Sequence, residues 1–299
     1  MVLITGGNGF IGTALVEKLL SEGHSVSILD RNQSERRNDK AKVIKGDITD
    51  PASLAGAFKG EETVIHLAGM ISYSKPREEL MRVNSIGTKN VVEACRSTGV
   101  DKFILSSSVS VYGRIKRGDV ADESYAVRPM NPYGESKMEA EKWLTESGID
   151  SVILRIAPIY GIGSPSWMKN LKLLEKGFPI PNTKNLTHVA HVSDVVQAFV
   201  LAVEGGKGVY NIADSEPLPF VRFAEMLMKD LGRKPRKMPP FLVGIMARAV
   251  GMKTYLNVLT ANRHYDISAA KAGLKFSPKA DLEKSTKEMV DWYLANKSK

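Results

Sequence analysis

The chain has 299 residues, enough for one large two-lobed unit or two closely joined domains around a buried core. Its net charge is +9, but the basic residues are spread along the chain without interleaved aromatics, so we expect anionic cofactors or substrates and no nucleic acid. The single cysteine, Cys95, excludes an internal disulfide and is expected to be a buried thiol. We find no signal peptide and no apolar run long enough to cross a bilayer, so we expect a cytoplasmic protein without an integral membrane segment.

Short apolar runs alternate with helical patterns through the first half of the chain. The runs that predict strands cover 2–5, 25–30, 42–47, 63–69 and 102–108. Apolar residues with helical spacing cover 13–22 and 77–98. This alternation predicts right-handed crossovers and an α/β fold with a doubly wound parallel sheet. Ligands of such a sheet bind beyond the carboxyl ends of its strands.

A glycine-rich turn joins the first predicted strand to the first predicted helix, and it reads Gly6-Gly-Asn-Gly-Phe-Ile-Gly12. Gly6 allows a tight turn, Gly9 lets backbone amides approach a pyrophosphate, and Gly12 lets helix and strand pack closely. The spacing differs from the Gly-x-Gly-x-x-Gly of the commonest dehydrogenases. We interpret the turn as a dinucleotide site; a glycine turn without a ligand is the alternative.

The second predicted strand ends in an acidic residue, Asp30. A carboxylate at this position can accept hydrogen bonds from the adenosine ribose and repels a 2′-phosphate, which favours NAD over NADP. Arg31 follows and could pair with that phosphate, so NADP remains the alternative.

Tyr133 and Lys137 are four residues apart in a segment, 133–147, that is expected to be helical. This spacing places both side chains on one face of the helix. A nearby ammonium lowers the pKa of a phenol, and such a tyrosine can exchange a proton with a substrate hydroxyl or carbonyl oxygen. His66 lies within an apolar strand and is expected to be a core histidine.

Six motifs occur in an order that is typical of one family. They are Thr5-Gly-Gly-Asn-Gly-Phe-Ile-Gly12, His66-Leu-Ala-Gly69, Asn84-x-x-Gly-Thr-x-Asn90, Ser106-Ser-Ser-Val-Ser-Val-Tyr-Gly113, Pro132-Tyr-Gly-Glu-Ser-Lys137, and Leu154-Arg155 through Ile159-Tyr-Gly161. Together they resemble the extended short-chain dehydrogenase/reductase family, the branch that contains NAD-dependent epimerases and dehydratases.

The resemblance implies a domain organisation. A Rossmann-type dinucleotide-binding domain would cover 1–155, with its sheet completed by about 187–213. A smaller, mixed C-terminal substrate-binding lobe would take 156–186 and 214–299. The family also implies a homodimer through the helices at 77–98 and 133–147.

The resemblance further implies a role for each matching residue. Tyr133 would transfer the proton, Lys137 would bind the nicotinamide ribose and lower the tyrosine pKa, and Ser108 would hydrogen-bond the reacting oxygen. Tyr112 is the rival base, but the family assigns it to the strand-end motif. The residues implied to bind NAD are Gly6, Gly9, Phe10, Ile11, Gly12, Asp30, Arg31, Asp47, Ile48, Leu67, Ala68, Gly69, Ser106, Tyr133 and Lys137. Asp47 and Ile48 would meet the adenine, and no metal is expected.

Two departures from the family pattern concern the substrate. Sugar-nucleotide members usually carry an asparagine where Pro158 stands and an arginine where Thr187 stands. Both changes would remove hydrogen bonds to a nucleotide-sugar. Pro158 is more typical of relatives that act on hydroxysteroids, flavonoids or other lipophilic alcohols and ketones. Arg263 could reach a substrate anion or form a surface salt bridge.

Two stretches of the second half leave structural questions. The helix at 195–203 is expected to be capped by Ser193 or Asp194. The apolar stretch 238–251 has three interpretations, namely a core or lid helix over the substrate, a membrane-surface contact, or a partner groove.

The sequence therefore predicts an NAD-dependent enzyme that transfers hydride between nicotinamide and a secondary alcohol or ketone through Ser108, Tyr133 and Lys137. One alternative is a nucleotide-sugar epimerase or dehydratase that uses the same site with tightly bound NAD. Another is a non-catalytic dinucleotide-binding protein.

Overall fold

The computed structural model describes residues 1–31, 40–249 and 260–297. Its strands are β1 (Val2–Thr5), β2 (Val26–Asp30), β3 (Lys42–Lys45), β4 (Thr63–His66), β5 (Lys102–Ser108), β6 (Asp150–Ile156), β7 (Ile159–Tyr160), β8 (Ile180–Pro181), β9 (Leu186–Thr187), β10 (Ala190–His191), β11 (Gly208–Ile212), β12 (Leu218–Pro219) and β13 (Lys237–Met238). Its α-helices are α1 (Phe10–Ser21), α2 (Arg77–Leu80), α3 (Gly87–Thr98), α4 (Pro132–Thr145), α5 (Pro165–Glu175), α6 (Val192–Glu204), α7 (Phe220–Asp230), α8 (Pro240–Ala249), α9 (Ser268–Gly273) and α10 (Leu282–Asn296).

Within the described residues, seven parallel strands form the central sheet in the order β11-β6-β5-β4-β1-β2-β3. The order reverses between β1 and β4, so the chain winds outward in both directions from the middle of the sheet. The last residue of β1, Thr5, pairs with Leu29 of β2 and His66 of β4, which aligns the carboxyl ends of these strands. The predicted doubly wound Rossmann-type sheet is confirmed.

Hydrophobic residues pack on both faces of the sheet because its strands are apolar on both sides. One cluster includes Ile4, Leu15 and Phe199, and the other includes Leu3, Phe58 and Phe103. Cys95 belongs to the second cluster, where burial raises the pKa of its thiol. The predicted buried thiol is confirmed.

The C-terminal residues build a third cluster outside the sheet. Helices α5, α7 and α10 meet there around Trp167, Phe223 and Met289. The two-stranded pairs β8 with β13 and β9 with β12 lie in this part of the chain. The functional division into a cofactor domain and a substrate lobe stays a prediction, as does the homodimer.

The structure refines two sequence predictions. The helix predicted at 77–98 contains a π-helical turn, Met81–Ile86, between α2 and α3. The predicted cap of α6 is wrong, because His191 is the N-cap and its side chain accepts from the Ser193 amide. The Asp194 carboxylate instead accepts from the amides of Lys279 and Ala280, so it tethers the chain before α10.

Within the apolar stretch 238–251, Met238 ends β13 and Pro240–Ala249 form α8, while the last two residues lie outside the described ranges. Across the described ranges, no helix is both long and apolar enough to cross a membrane.

Candidate active site

The N-terminus of α4 fixes the position of Tyr133. The Asn131 side chain caps the helix by accepting from the Gly134 amide at 2.9 Å, and Pro132 stands at the first helical position. The helix then places Tyr133 and Lys137 on one buried face, as the spacing predicts. A phenol and an ammonium are therefore held together at the carboxyl edge of the sheet.

The end of β5 supplies the partners of this face. Lys137 Nζ donates to the Ser106 carbonyl oxygen at 2.8 Å, which holds the ammonium against the strand. Ser108 Oγ accepts from the Ser110 amide at 3.1 Å, and the Ser108 side chain is close enough to the Tyr133 phenol to lower its pKa. Ser107 points away, since its hydroxyl donates to Glu141 Oε1 at 2.5 Å. The predicted trio of Ser108, Tyr133 and Lys137 is thus brought together.

Burial controls the charges in this group. Burial raises the pKa of Tyr133, the neighbouring Tyr73 adds to the rise, and the hydrogen bond with Ser108 opposes it. Burial also lowers the pKa of Lys137 to about 8, against the opposing effect of Glu141. In the protein alone the pKa of Tyr133 therefore lies above its ordinary value, because desolvation is the largest effect on the phenol, and the predicted lowering by Lys137 stays a prediction.

Tyr112, the rival base, belongs to a separate buried network. Its hydroxyl donates to Asn211 Oδ1 at 2.7 Å and accepts from Arg155 Nη1 at 3.0 Å. Arg155 in turn forms a buried ion pair with Glu141 at 2.7 Å. Because both sides of the Tyr112 hydroxyl are engaged with fixed partners, Tyr133 is the better candidate for proton transfer.

His66 is a core histidine, as predicted. Its Nδ1 lies 2.6 Å from the Thr5 hydroxyl and its Nε2 lies 3.0 Å from the Thr88 hydroxyl. Burial lowers its pKa to about 3, with a smaller effect from Lys137. The ring is therefore neutral and joins β1, β4 and α3.

Asn84 is a positioning residue to which sequence reasoning gave no role. It lies in the π-helical turn, and its amide donates to the Met70 carbonyl oxygen and the Ser136 hydroxyl, both at 2.9 Å. Its Oδ1 accepts from the Met70 amide at 2.7 Å. Asn84 thus fastens the loop after β4 to the helix that carries Tyr133. The Asn84-x-x-Gly motif and the frequent link between π-helical turns and functional sites were the available signals.

The glycine turn has the geometry that a pyrophosphate site requires. Gly6 has a φ of +72°, and a Cβ there would lie 2.9 Å from Ala68 Cα. A Cβ at Gly12 would lie 2.5 Å from the Gly6 carbonyl oxygen, so the turn closes only around glycine. Helix α1 begins at this turn without a side-chain cap and without an acid in its first turn. Its N-terminal amides and dipole therefore suit an anion, and the turn fits NAD.

The remaining predicted cofactor residues lie at the carboxyl ends of β2, β3, β4 and β5. Asp30 ends β2 half-buried, with Arg31 exposed beside it. The Asp47 carboxylate accepts from the Thr49 amide and hydroxyl, both at 2.8 Å, and Ile48 is buried. A Cβ at Gly69 would lie 3.5 Å from Lys137 Nζ, so the loop Leu67-Ala-Gly69 borders the catalytic candidates.

The two departures from the family pattern lie in a neighbouring region. The Pro158 carbonyl oxygen accepts from the Ala190 amide at 3.1 Å, and Thr187 is buried in β9. Arg263 is buried rather than on the surface. Its charge acts on Tyr73 and Tyr265, and the ring of Tyr73 packs edge-on against Tyr133 at 6.2 Å. Arg263 therefore adds positive charge near the proton-transfer candidate.

An apolar cavity of about 60 Å³ lies in the C-terminal part of the chain. It is bordered by α5, β8, α7 and α8 through residues that include Trp167, Ile180, Phe220 and Ala247. The amide of Asn170 and the indole N–H of Trp167 are the polar side-chain groups among the lining residues. Such a surface binds hydrocarbon better than sugar or phosphate.

A family model, related sequences and a solved structure all match this chain and agree on one family. The model of the NAD dependent epimerase/dehydratase family matches residues 2–213. The sterol-4-alpha-carboxylate 3-dehydrogenase, decarboxylating, of Mus musculus is 35% identical over 248 residues, covering 76% of this chain and 68% of the relative. The 3-beta-hydroxysteroid dehydrogenase of Mycolicibacterium neoaurum is 32% identical over 260 residues, covering 78% and 70%. The UDP-glucose 4-epimerase of Thermotoga maritima, solved with UDP-glucose, is 26% identical, with a TM-score of 0.82 over 98% of both chains.

Proposed function

The chain belongs to the NAD dependent epimerase/dehydratase family, within the extended short-chain dehydrogenases/reductases, and we propose that this NAD-dependent enzyme interconverts a lipophilic secondary alcohol and its ketone. The observation that carries the proposal is the buried pair of Tyr133 and Lys137 on one face of α4, with Ser108 in reach of the phenol. This group has the composition and spacing needed to move a proton at a substrate oxygen.

In the proposed mechanism, Tyr133 Oη takes the proton of the substrate hydroxyl during oxidation and returns it during reduction. The Ser108 hydroxyl donates to the substrate oxygen while negative charge develops there. Lys137, held by Ser106, stabilises that charge and the phenolate. Bound NAD supplies the hydride acceptor or, when reduced, the hydride donor.

We infer that the glycine turn, Asp30 and the loop Leu67-Ala-Gly69 hold the cofactor. The amides at the start of α1 would bind the pyrophosphate, and Gly12 keeps that helix close enough to do so. Asp30 would accept from the adenosine ribose hydroxyls, which supports NAD. Asp47 and Ile48 would border the adenine, and Arg31 would lie outside the ribose contact.

Two observations support a lipophilic substrate. Pro158 lacks a side-chain donor where nucleotide-sugar enzymes usually carry an asparagine, and Thr187 replaces their arginine. The two relatives above 30% identity that are described here carry names of enzymes acting on sterols and hydroxysteroids.

A second candidate function is nucleotide-sugar epimerisation or dehydration. The likeness to an epimerase solved with UDP-glucose extends over 98% of both chains. Tyr133 would transfer the proton in either reaction. The two candidate functions therefore differ in which substrate the C-terminal residues bind and in whether the ketone leaves the site.

The first experiment is mass spectrometry of the purified protein under native and then denaturing conditions. Weak, exchangeable NAD and turnover of hydroxysteroids or similar alcohols are expected. Retained NAD together with a nucleotide-sugar mass would support the second candidate instead. Tyr133→Phe should abolish turnover and leave NAD affinity within about twofold, since the hydroxyl alone is removed. NAD binding without turnover of any alcohol or ketone by the unmodified protein would indicate a non-catalytic dinucleotide-binding protein.

A further inference from the structure

Helix α8 exposes its large apolar side chains to solvent. Phe241 and Ile245 lie one turn apart and are 67% and 63% exposed, and Met246 beside them is 39% exposed. The opposite face buries the smaller Val243 and Ala247. Phe241 is the most exposed large apolar residue in the part of the chain that the structure describes. Clustered exposure of this kind marks a contact surface.

The chain around α8 is strongly basic. From 231 to 265 the sequence holds seven Lys or Arg residues and no Asp or Glu. Lys237 pairs with Glu225 at 2.6 Å. Lys234, Arg236 and Arg248 are exposed, and none of them forms an ion pair with another described residue. The positive charge of these three side chains therefore has no acidic partner among the described residues, and it lies close in the sequence to the exposed apolar side chains of α8.

We propose that α8 together with the basic segment 233–237, here called the α8 surface, docks on an anionic phospholipid bilayer. Phe241 and Ile245 enter the interfacial region, and the basic side chains contact lipid headgroups. Arg248 follows Phe241 by seven residues and so lies on the same side of the helix. Ten residues of helix measure about 15 Å, half the hydrocarbon thickness, so α8 lies in the membrane surface without spanning it.

The charge favours a bilayer over a second copy of this chain. A second copy would bring the same uncompensated cations to the contact, where like charges repel. An anionic bilayer offers negative charge to every cation and hydrocarbon to every exposed apolar group. The inference goes beyond the proposed function, and its test measures binding alone, so either can fail without the other.

The test is flotation of the whole protein with vesicles of phosphatidylcholine alone, or of phosphatidylcholine mixed with phosphatidylserine. One variant is Phe241→Ser with Ile245→Ser, and another is Lys234→Gln, Arg236→Gln and Arg248→Gln. Matched controls are Val120→Ser, at a residue 46% exposed, and Arg114→Gln with Lys116→Gln and Arg117→Gln, which neutralises an exposed basic cluster elsewhere. Circular dichroism establishes that each variant is folded.

We expect the unmodified protein to float with the mixed vesicles and to be released by high salt. The triple substitution at the α8 surface should lower the partition coefficient about a hundredfold, at about fivefold for each charge. The apolar double variant should lower it at least about tenfold. Both controls should stay within about threefold of the unmodified protein.

The proposal fails if the unmodified protein does not float with the mixed vesicles. It also fails if the triple control at 114–117 loses as much binding as the triple variant of the α8 surface, or if the apolar double variant binds like the unmodified protein. Sedimentation velocity supplies an independent check. If the unmodified protein self-associates and the apolar double variant does not, the α8 surface is an interface between copies.

Discussion

Replacing Lys137 by methionine should stabilise the fold while it removes activity. The ammonium is buried, and burial lowers its pKa from 10.5 to about 8. Since one pKa unit corresponds to about 1.4 kcal/mol, keeping this charge in the folded protein at pH 7 costs about 3 kcal/mol. Methionine has a similar shape without the charge but leaves the Ser106 carbonyl oxygen without its donor, which costs about 1 kcal/mol. The expected net gain at pH 7 is about 2 kcal/mol.

The stability difference between the two proteins should change with pH because the pKa of Lys137 is lowered in the folded state. Between pH 8 and 10.5 the unfolded chain keeps the Lys137 proton while the folded protein has lost it, so the stability of the unmodified protein rises with pH. The methionine variant lacks this rise. The gain of the variant should therefore shrink through this window and reverse to about −1 kcal/mol near its upper end.

Urea denaturation of both proteins at several pH values from 7 to about 10.5 measures the difference directly. Lys142→Met, an exposed position on the same helix, is the control and should show no such trend. A Lys137→Met variant that is less stable than the unmodified protein at pH 7, or a difference that does not change with pH, would refute the reasoning about the buried charge.

Three further variants test the surroundings of the site. Gly12→Ala should weaken NAD binding at least about tenfold in calorimetry, because its Cβ would meet the Gly6 carbonyl oxygen at 2.5 Å; normal affinity would show that the turn can open. Glu141→Gln should cost about 3 kcal/mol in urea denaturation, since it leaves the Arg155 guanidinium buried without its counter-charge; a loss under about 1 kcal/mol would contradict a tight pair. Asn84→Ala should lower kcat at least about tenfold with a smaller change in KM, because the loop after β4 loses its link to α4; Asn84→Asp, which keeps the Oδ1 contact with the Met70 amide, should recover part of the rate.

Local patterns were sufficient to predict the sheet and the ends of its strands. The apolar runs at 2–5 and 102–108 coincide with β1 and β5, and the glycine turn lies where β1 meets α1. Such features depend on neighbours in the sequence, so they can be read from one segment at a time. The same holds for Tyr133 and Lys137, whose spacing alone puts them on one face of a helix.

Contacts between distant segments could not be predicted in the same way. Asn84 meets Ser136, 52 residues later, and Glu141 meets Arg155 on a different element. The tyrosine pKa also depends on such contacts, because the burial of Tyr133 and its neighbour Tyr73 arises only when the chain folds. The spacing in the sequence therefore could not predict the desolvation that raises the pKa of the phenol.

The choice between a dehydrogenase and an epimerase rests on what holds the substrate after proton transfer. An epimerase must keep its nucleotide-sugar bound, through contacts to the phosphates and the base, while the sugar is oxidised and reduced again. With Pro158 and Thr187 in place of that asparagine and arginine, two side-chain donors to a nucleotide-sugar are missing, and a hydrophobic substrate gains most of its affinity from apolar contacts. A ketone held in that way can leave once its own contacts break. These two residues therefore support the proposed dehydrogenation, in which the ketone leaves, over an epimerisation, in which the ketone stays bound.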